Sequence, residues 1–469
     1  MRHDAIVVGA GSAGCVAART LAERNFGVLL IDGKASANIG NKLCGNALGS
    51  HHLHVAGLKL PDEVVSNPRI EGFYIYSPDG HRMDVPGGEF GGVMLHRFRF
   101  GQYLLSLANE AGAKLRERTP VAGPLLEDGR VKGVTVGSGE KIHADIVIDA
   151  SGLKSPLRMN LNAESAVERE AQGSDVVVAY RENRRLKKKF HKPEYCEIYL
   201  DQAKYPWGYA WIFPQDEYVV NVGVGVGKIT RDGAPLYPHP KQRLYETILK
   251  SEAFEDSELI GSGTMGPGIG GMDIPVRKSL DSLVHDGLLF AGEAGFIINP
   301  PTAGGNGPAL VSGRIAGETV ASALEDEDTS RDSLWRYNVK YFSEIGYGAK
   351  YHALDAFRIL LQSLSNYDLN FAVNNAIITG EDLVQTTAGG NLKIGPIDKA
   401  MRALRGLKNP TLLNKVRYIS SIMKEIKADC RNYPTPEEFS TWRQRMRDRF
   451  VEIRKKCPPQ APVTAPTGA

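Results

Sequence analysis

A glycine run, a cysteine beside a glycine and an alternating aromatic trio are the residues of this chain whose types and spacing could do chemistry. Gly9-Ala10-Gly11-Ser12-Ala13-Gly14 lies between an apolar stretch, Ala5-Ile6-Val7-Val8, and a run of small residues, and Asp32 closes the next apolar stretch, Val28-Leu29-Leu30-Ile31. That order reads as strand, turn, helix, strand. Gly9 permits the tight turn, Gly11 leaves the backbone open to a pyrophosphate, and Gly14 lets the helix pack on the strand. Ser12 and Ala13 open the helix whose free N–H groups would face the anion. Asp32, with Gly33 behind it, is placed to accept hydrogen bonds from a ribose. The chemistry is dinucleotide binding, with a purely structural glycine turn as the alternative.

Two further segments point to FAD. An apolar strand, Ile146-Val147-Ile148, runs into Asp149-Ala150-Ser151-Gly152, where Ala150 and Gly152 are expected at the cofactor. Gly292-Glu293-Ala294 follows a second buried stretch, and Gly304-Gly305-Asn306 opens a helix. A carboxylate such as Glu293 can hold ribityl hydroxyls, and helix-opening amides favour the negative charge that a flavin gains on reduction.

At this point the sequence resembles the geranylgeranyl reductases, within the flavoproteins related to p-hydroxybenzoate hydroxylase. The resemblance covers most of residues 1 to 325. It rests on the first glycine motif, Lys42-Leu43-Cys44-Gly45, Arg97-x-x-Phe100, Ser151-Gly152-x-x-Ser155, Tyr209-Ala210-Trp211-Ile212-Phe213-Pro214 and the glycine-rich segment after Gly292. It implies that Cys44, Gly45 and Arg97 lie at the flavin and that Tyr209, Trp211, Phe213 and Pro214 line a prenyl cavity. Departures are Glu293 in place of the usual Asp, Gly101 in place of an acid, and Ala303 and Asn306 within the glycine segment.

The implied activity is saturation of C=C bonds in the prenyl chains of lipids by hydride from reduced FAD, with Cys44, Tyr209 and Trp211 as the catalytic candidates. An unactivated alkene needs alignment and exclusion of water, which a long aromatic cavity supplies. The proton donor stays open between Cys44, Tyr209 and an ordered water. An FAD monooxygenase or halogenase is the rival within the class, and a non-catalytic flavin carrier the rival outside it. No second glycine fingerprint selects a nicotinamide, so ferredoxin and NAD(P)H both remain as electron donor.

Cys44 could equally be a small buried hydrophobe, and Tyr209, Trp211 and Phe213, which alternate onto one strand face, ordinary sheet core. His51, His52 and His54 lack the spacing and the carboxylate or thiolate partners of a metal site, so no metal is expected.

The elements that must position these residues follow. The 469 residues, 42% hydrophobic and 24% charged, suit a globular chain of two or three domains. A net charge of +3 gives no ground for nucleic-acid binding. Five scattered cysteines argue against a disulfide framework. Neither a signal peptide nor an apolar run of about 18 residues is legible, so the expectation is a cytoplasmic protein. The basic C-terminal part reads as a solvated helix face or as peripheral contact with the inner membrane face.

The fold class expected is α/β, built from a Rossmann-like FAD-binding domain, discontinuous over residues 1–160 and 281–325, and an inserted antiparallel-sheet substrate domain over 161–280. A C-terminal helical region over 326–456 and a disordered tail over 457–469 complete it. Between Gly33 and Arg97 the sequence reads as a long functional loop or a small excursion.

Overall fold

The computed structural model describes residues 3–87, 91–162, 165–171, 173–231, 234–235, 239–343, 345–387 and 396–460. At its centre the strand His3–Val8 pairs in parallel with Val28–Ile31 on one side and Lys141–Asp149 on the other. Lys114–Arg116 extends this first sheet at one edge and Leu288–Phe290 on the other side, again in parallel, with Val284–His285 antiparallel beyond it. Parallel strands covered on both faces are continuous apolar runs, and Ala5 to Val8 and Val28 to Ile31 are all buried.

The first helix, Ser12–Ala22, lies against the long helix Asn306–Glu325. Their backbones approach closely because the facing residues are small. A Cβ on Gly313 would stand 2.2 Å from the Ala13 carbonyl oxygen, and one on Gly317 2.7 Å from the Thr20 Cβ. Residues near 290–325 thereby complete a layer begun at the N-terminus, and the unit built on the first sheet is discontinuous in sequence.

The second sheet has the order Glu258–Leu259, Val176–Arg185, Val219–Gly227, Tyr209–Pro214, Tyr195–Tyr199, Gly72–Tyr76, Arg82–Pro86, with Ile269–Pro275 also on Val176–Arg185. It is antiparallel except where Tyr195–Tyr199 runs parallel to Gly72–Tyr76. Stacked cross-strand pairs mark that joint, Tyr74 on Tyr195 with centroids 4.5 Å apart and Tyr76 on Tyr199 at 4.8 Å.

Of the two readings for the stretch between Gly33 and Arg97, a long functional loop or a small excursion, the structure has the second. The stretch supplies two strands to this sheet, a three-stranded sheet with Ala47–Gly49, Val65–Ile70 and Gly92–Leu95, and the short helix Ser50–Ala56. Strands this short, broken by Gly and Pro, show no period of their own and are held by pairing partners distant in sequence.

The C-terminal region is helical, and it opens with two helices, Arg331–Phe342 and Gly348–Gln362. The break falls at Gly346, where a Cβ would stand 2.2 Å from the Tyr341 Cα, and at Tyr347 with φ +71°. The tail departs from expectation at its start. Cys457 is fully buried, the Trp207 indole N–H donates to the Gln460 carbonyl at 2.9 Å, and the Gln460 side-chain amide donates to the Ser363 carbonyl at 3.0 Å. The remainder of that expectation, residues 461–469, lies outside the described residues.

Two buried carboxylates tie the helical region to the rest. Asp281 meets Lys278, His352 at 3.4 Å and Arg443 at 3.8 Å. Asp175 meets Arg358 at 3.1 Å and Arg454 at 2.7 Å. Burial alone would raise both carboxyls; Lys278 and His352 for the one, and Arg358 and Arg454 for the other, outweigh it and hold both below the ordinary carboxylate range. A folded pKa below the unfolded value stabilises the protein at pH above the unfolded value, about 3.9, and that stabilisation is lost as pH falls through the depressed folded value. Thermal melts are therefore expected to hold their midpoint down to about pH 5 and to drop below about pH 4. Asp281→Asn, which leaves Lys278 buried without its carboxylate, should lose about 3–5 kcal/mol at neutral pH.

Candidate active site

The first glycine turn is shaped by the chain itself at two positions and not at a third. Gly9 has φ +99°, and a Cβ there would lie 2.5 Å from the Ala150 carbonyl oxygen; a Cβ on Gly14 would lie 1.8 Å from the Gly9 carbonyl oxygen. Gly11 sits at φ −82°, which any residue adopts, and a Cβ on it would meet nothing within 4 Å. Beside it the Ser12 hydroxyl oxygen is buried without a hydrogen-bond partner. Ala13, by contrast, faces the long helix and the Gly292 turn, where a Cβ on Gly292 would lie 3.0 Å from its own.

Asp32 fixes the turn from the far side, accepting the Ala10 N–H at 2.8 Å and the Lys34 N–H at 2.7 Å. Gly33 makes only ordinary contact with Pro120, 3.6 Å from a built Cβ, so sterics do not demand glycine there. Arg97 opens the helix Arg97–Glu110, is buried, and has Nε and Nη1 without partners. Lys34 lies near it; burial pushes its ammonium pKa down, Asp32 opposes this, and the Lys42 and Arg97 charges add to the fall.

Ala150 follows the strand Lys141–Asp149 and donates its N–H to the Val8 carbonyl at 2.8 Å. Gly152, at φ +89°, has open space where a Cβ would be. Behind them Asp149 is fully buried and accepts from the Ser151 and Ser155 hydroxyls at 2.5 and 2.6 Å. Burial pushes its carboxyl pKa up against those hydrogen bonds. Ser155 in turn caps the short helix Pro156–Met159.

Residues 292–306 face this turn. Gly292 has φ +60° and donates its N–H to the Ser312 hydroxyl at 3.0 Å. Glu293, expected at the ribityl chain, pairs with Lys42 at 3.1 Å, joining the glycine segment to the cysteine segment. Gly304 pairs across the turn with Asn299, and Gly305 is the N-cap of the long helix. The Asn306 side-chain amide donates to the Cys44 sulfur at 3.2 Å.

Cys44 is half-buried, and its sulfur accepts a second hydrogen bond from the Asn46 N–H at 3.2 Å. A Cβ on Gly45 would lie 3.1 Å from the Phe213 ring. The cysteine segment thus lies directly on the second sheet. Tyr209, Trp211 and Phe213 share one strand face, with centroids 6.0 and 6.2 Å apart in succession. The Tyr209 hydroxyl donates to the Thr302 carbonyl at 2.7 Å, reaching the glycine segment, and burial pushes its pKa up to about 12. The Trp211 indole N–H donates to Asn221 at 3.0 Å, and the Asn221 amide donates to the Cys44 carbonyl at 2.8 Å. Pro214 is paired with Val220 in the register of the opposite face, with Ala210 and Ile212, so it does not share the aromatic surface.

Several residues at this surface were not singled out from the sequence. Gly223 lies opposite Trp211, and a Cβ there would stand 2.3 Å from the indole ring. Arg181 and Asn183 lie across from Gly223 and Asn221 on the neighbouring strand. Both are fully buried; Arg181 Nε and Nη2 and both Asn183 amide atoms lack partners. Burial pushes the Arg181 pKa down to about 10, with Cys44 the opposing influence. The available signal was a polar or glycine residue at every second position of otherwise apolar strands, as in Asn221-Val222-Gly223-Val224-Gly225.

His51 and His52 fall on the helix Ser50–Ala56, where a Cβ on Gly307 would meet the His52 ring at 1.9 Å. Burial pushes His51 down to about 4 and His52 to about 2, so both are neutral. Among the described residues no three His, Cys, Asp or Glu side chains gather to hold a metal.

The open space at Gly11 and Gly152, the unpartnered Ser12 hydroxyl and the free Arg97 donors fit a cofactor carrying a pyrophosphate. Comparison with known proteins agrees with that fit. Residues 4–187 match the family model described as FAD dependent oxidoreductase, and residues 175–261 that of the geranylgeranyl reductase catalytic domain. A digeranylgeranylglycerophospholipid reductase of Sulfolobus acidocaldarius is 32% identical over 97% of this chain and 99% of its own. A second of that name, from Methanopyrus kandleri, is 33% identical over 83% of this chain and 93% of its own. Among solved structures, a geranylgeranyl bacteriochlorophyll reductase-like protein from Thermoplasma acidophilum shares the fold, with a TM-score of 0.72, 24% identity, and coverage of 89% of this chain and 99% of its own. So does the myxobacterial chondrochloren halogenase, with a TM-score of 0.62, 20% identity, and coverage of 87% and 96%. With these relatives aligned over nearly their whole length and the catalytic-domain match lying across the aromatic strand, the chain belongs to the geranylgeranyl reductase family of FAD-dependent oxidoreductases.

Proposed function

We propose that this protein is a digeranylgeranylglycerophospholipid reductase, an FAD-dependent enzyme that saturates C=C bonds in the prenyl chains of archaeal-type membrane lipids. The observation that carries the reading is the aromatic face of Tyr209, Trp211 and Phe213 set against Cys44 and the 302–306 turn. Bound FAD, once reduced, supplies the hydride.

The chain's own residues do the rest. Ser12, Arg97 and the N–H groups of the first helix hold the phosphates, and Asp32 the ribose. The aromatic rings offer an apolar wall along which an isoprenoid chain lies, and Asn221 fixes the indole through its hydrogen bond. An alkene has no carbonyl to polarise, so rate comes from alignment and from keeping water out. Cys44 is the proton donor in this reading. The Asn46 N–H and the Asn306 amide already point at its sulfur, and they favour the negative charge left when the proton goes to the alkene carbon. The Tyr209 proton is engaged by the Thr302 carbonyl, which leaves the phenol to position the wall.

The test is anaerobic. Enzyme reduced with dithionite is expected to reoxidise on addition of geranylgeranyl lipid, with the lipid gaining hydrogen pairs by mass spectrometry. Flavin that stays reduced until oxygen enters would sink the proposal and favour an oxygen-using enzyme on the fold shared with the halogenase. Repeating the assay with ferredoxin or NAD(P)H in place of dithionite identifies the electron donor.

A further inference from the structure

The helix Pro396–Gly406 and the turn after it form a surface that the flavin chemistry does not use. Met401 is 43% exposed, Leu404 63% and Leu407 65%, so apolar side chains project at three-residue spacing. The next helix, Pro410–Arg431, buries its apolar residues, Leu412, Leu413 and Ile419 among them, in the ordinary way. The projecting ridge is therefore no part of the core.

Its charge setting is one-sided. From Lys399 to Lys424 the sequence has seven Lys and Arg and no Asp or Glu. Arg402 is turned inward onto Asp382, which anchors the helix, whereas Arg405 and Lys408 are exposed beside the leucines and Arg417 and Lys424 are exposed on the following helix. Asn409 donates to Asp368 at 2.8 Å, which fixes the turn that carries Leu407 and Lys408.

We infer that this surface docks on the anionic face of a phospholipid bilayer, with Met401, Leu404 and Leu407 entering the headgroup boundary and the surrounding cations meeting lipid phosphates. Three projecting side chains fall far short of the roughly 1,000 Å² that a specific protein interface buries, yet they suffice for a lipid surface when basic residues flank them. A nucleic acid would take the cations but has no use for projecting leucines. Among the described residues no helix is long and apolar enough to cross a membrane, so the contact is with the surface. The inference stands apart from the proposed substrate, because vesicles without prenyl chains test it alone.

The experiment is flotation of the FAD-loaded protein with vesicles of phosphatidylcholine, with and without phosphatidylglycerol. Binding is expected only with phosphatidylglycerol, and should weaken about tenfold or more between about 0.1 M and about 0.5 M NaCl. Leu404→Glu with Leu407→Glu should lower it about tenfold or more, as should Arg405→Glu with Lys408→Glu. Both pairs should keep the bound-FAD spectrum and the reduction of a detergent-dispersed prenyl substrate. Equal flotation of the variants, or none by the wild type, overturns the inference. So does a dimer on gel filtration that only the leucine variants dissociate, which would give the ridge to a second copy of the chain. Retention on DNA that the leucine variants leave unchanged, with no flotation, would likewise overturn it in favour of a nucleic acid.

Discussion

Gly11→Val is expected to give a folded protein that carries no flavin. The chain itself has no need of glycine there, since the backbone angle is ordinary and a Cβ would meet nothing within 4 Å. The only thing a side chain at Gly11 could displace is a ligand on the helix N-terminus. Apoprotein thermal stability should match that of wild-type apoprotein within about 0.5 kcal/mol, while FAD affinity falls by about 100-fold or more, the cost of losing close phosphate contact. Gly14→Val makes the contrast. Its Cβ would collide with the Gly9 carbonyl oxygen at 1.8 Å, and the tight contact with Gly313 keeps the helix from retreating. That variant should lose stability and flavin together. Isothermal titration of the two apoproteins with FAD, beside their thermal melts, separates the cases. Wild-type affinity in Gly11→Val would remove the pyrophosphate from this turn.

Cys44→Ala should do the reverse, keeping FAD and losing turnover. The side chain is half-buried and small, so its loss leaves little cavity. The sulfur accepts from the Asn306 amide and the Asn46 N–H, and the next residue, Gly45, lies against the Phe213 ring of the aromatic strand. A positioned proton donor contributes about 10²- to 10⁴-fold, and the single-turnover rate of reoxidation by prenyl lipid should fall within that range. Cys44→Ser, which retains a proton on a less acidic atom, should fall between the two. A Cys44→Ala enzyme within about threefold of wild type would give the proton to water or to Tyr209.

Much of this site was legible in the sequence because local physics governs it. The βαβ unit from His3 to Ile31 announces itself by continuous apolar runs and by a glycine turn in which Gly9 and Gly14 answer to close approaches within the chain and Gly11 does not. The alternation of Tyr209, Trp211 and Phe213 placed them on one face, as it should on any strand, and the same rule puts Pro214 on the other. What escaped was long-range. Nothing near Glu293 in sequence announces Lys42, and nothing near Gln460 announces Trp207. Arg181 and Asn183 lie on Val176–Arg185, which gains partners on both sides only from segments distant in sequence, and both side chains are fully buried. The strands between Val65 and Leu95 were missed because short Gly- and Pro-broken segments acquire their conformation from partners far along the chain.

The interleaving of the two sheets sets a schedule for synthesis. The first sheet waits for Leu288–Phe290 to dock on Lys141–Asp149, and the second holds Gly72–Tyr76 open until Tyr195–Tyr199 is made. At about 5–20 residues per second, roughly 15–60 s pass on the ribosome before either sheet is complete. Within that interval the tyrosine-rich strand Gly72–Tyr76 presents an unpaired edge until Tyr195–Tyr199 emerges, and Lys141–Asp149 presents one until Leu288–Phe290 does. The nascent chain is therefore most exposed to aggregation before its flavin site exists, and chaperone demand should concentrate in the first 290 or so residues rather than in the helical C-terminus.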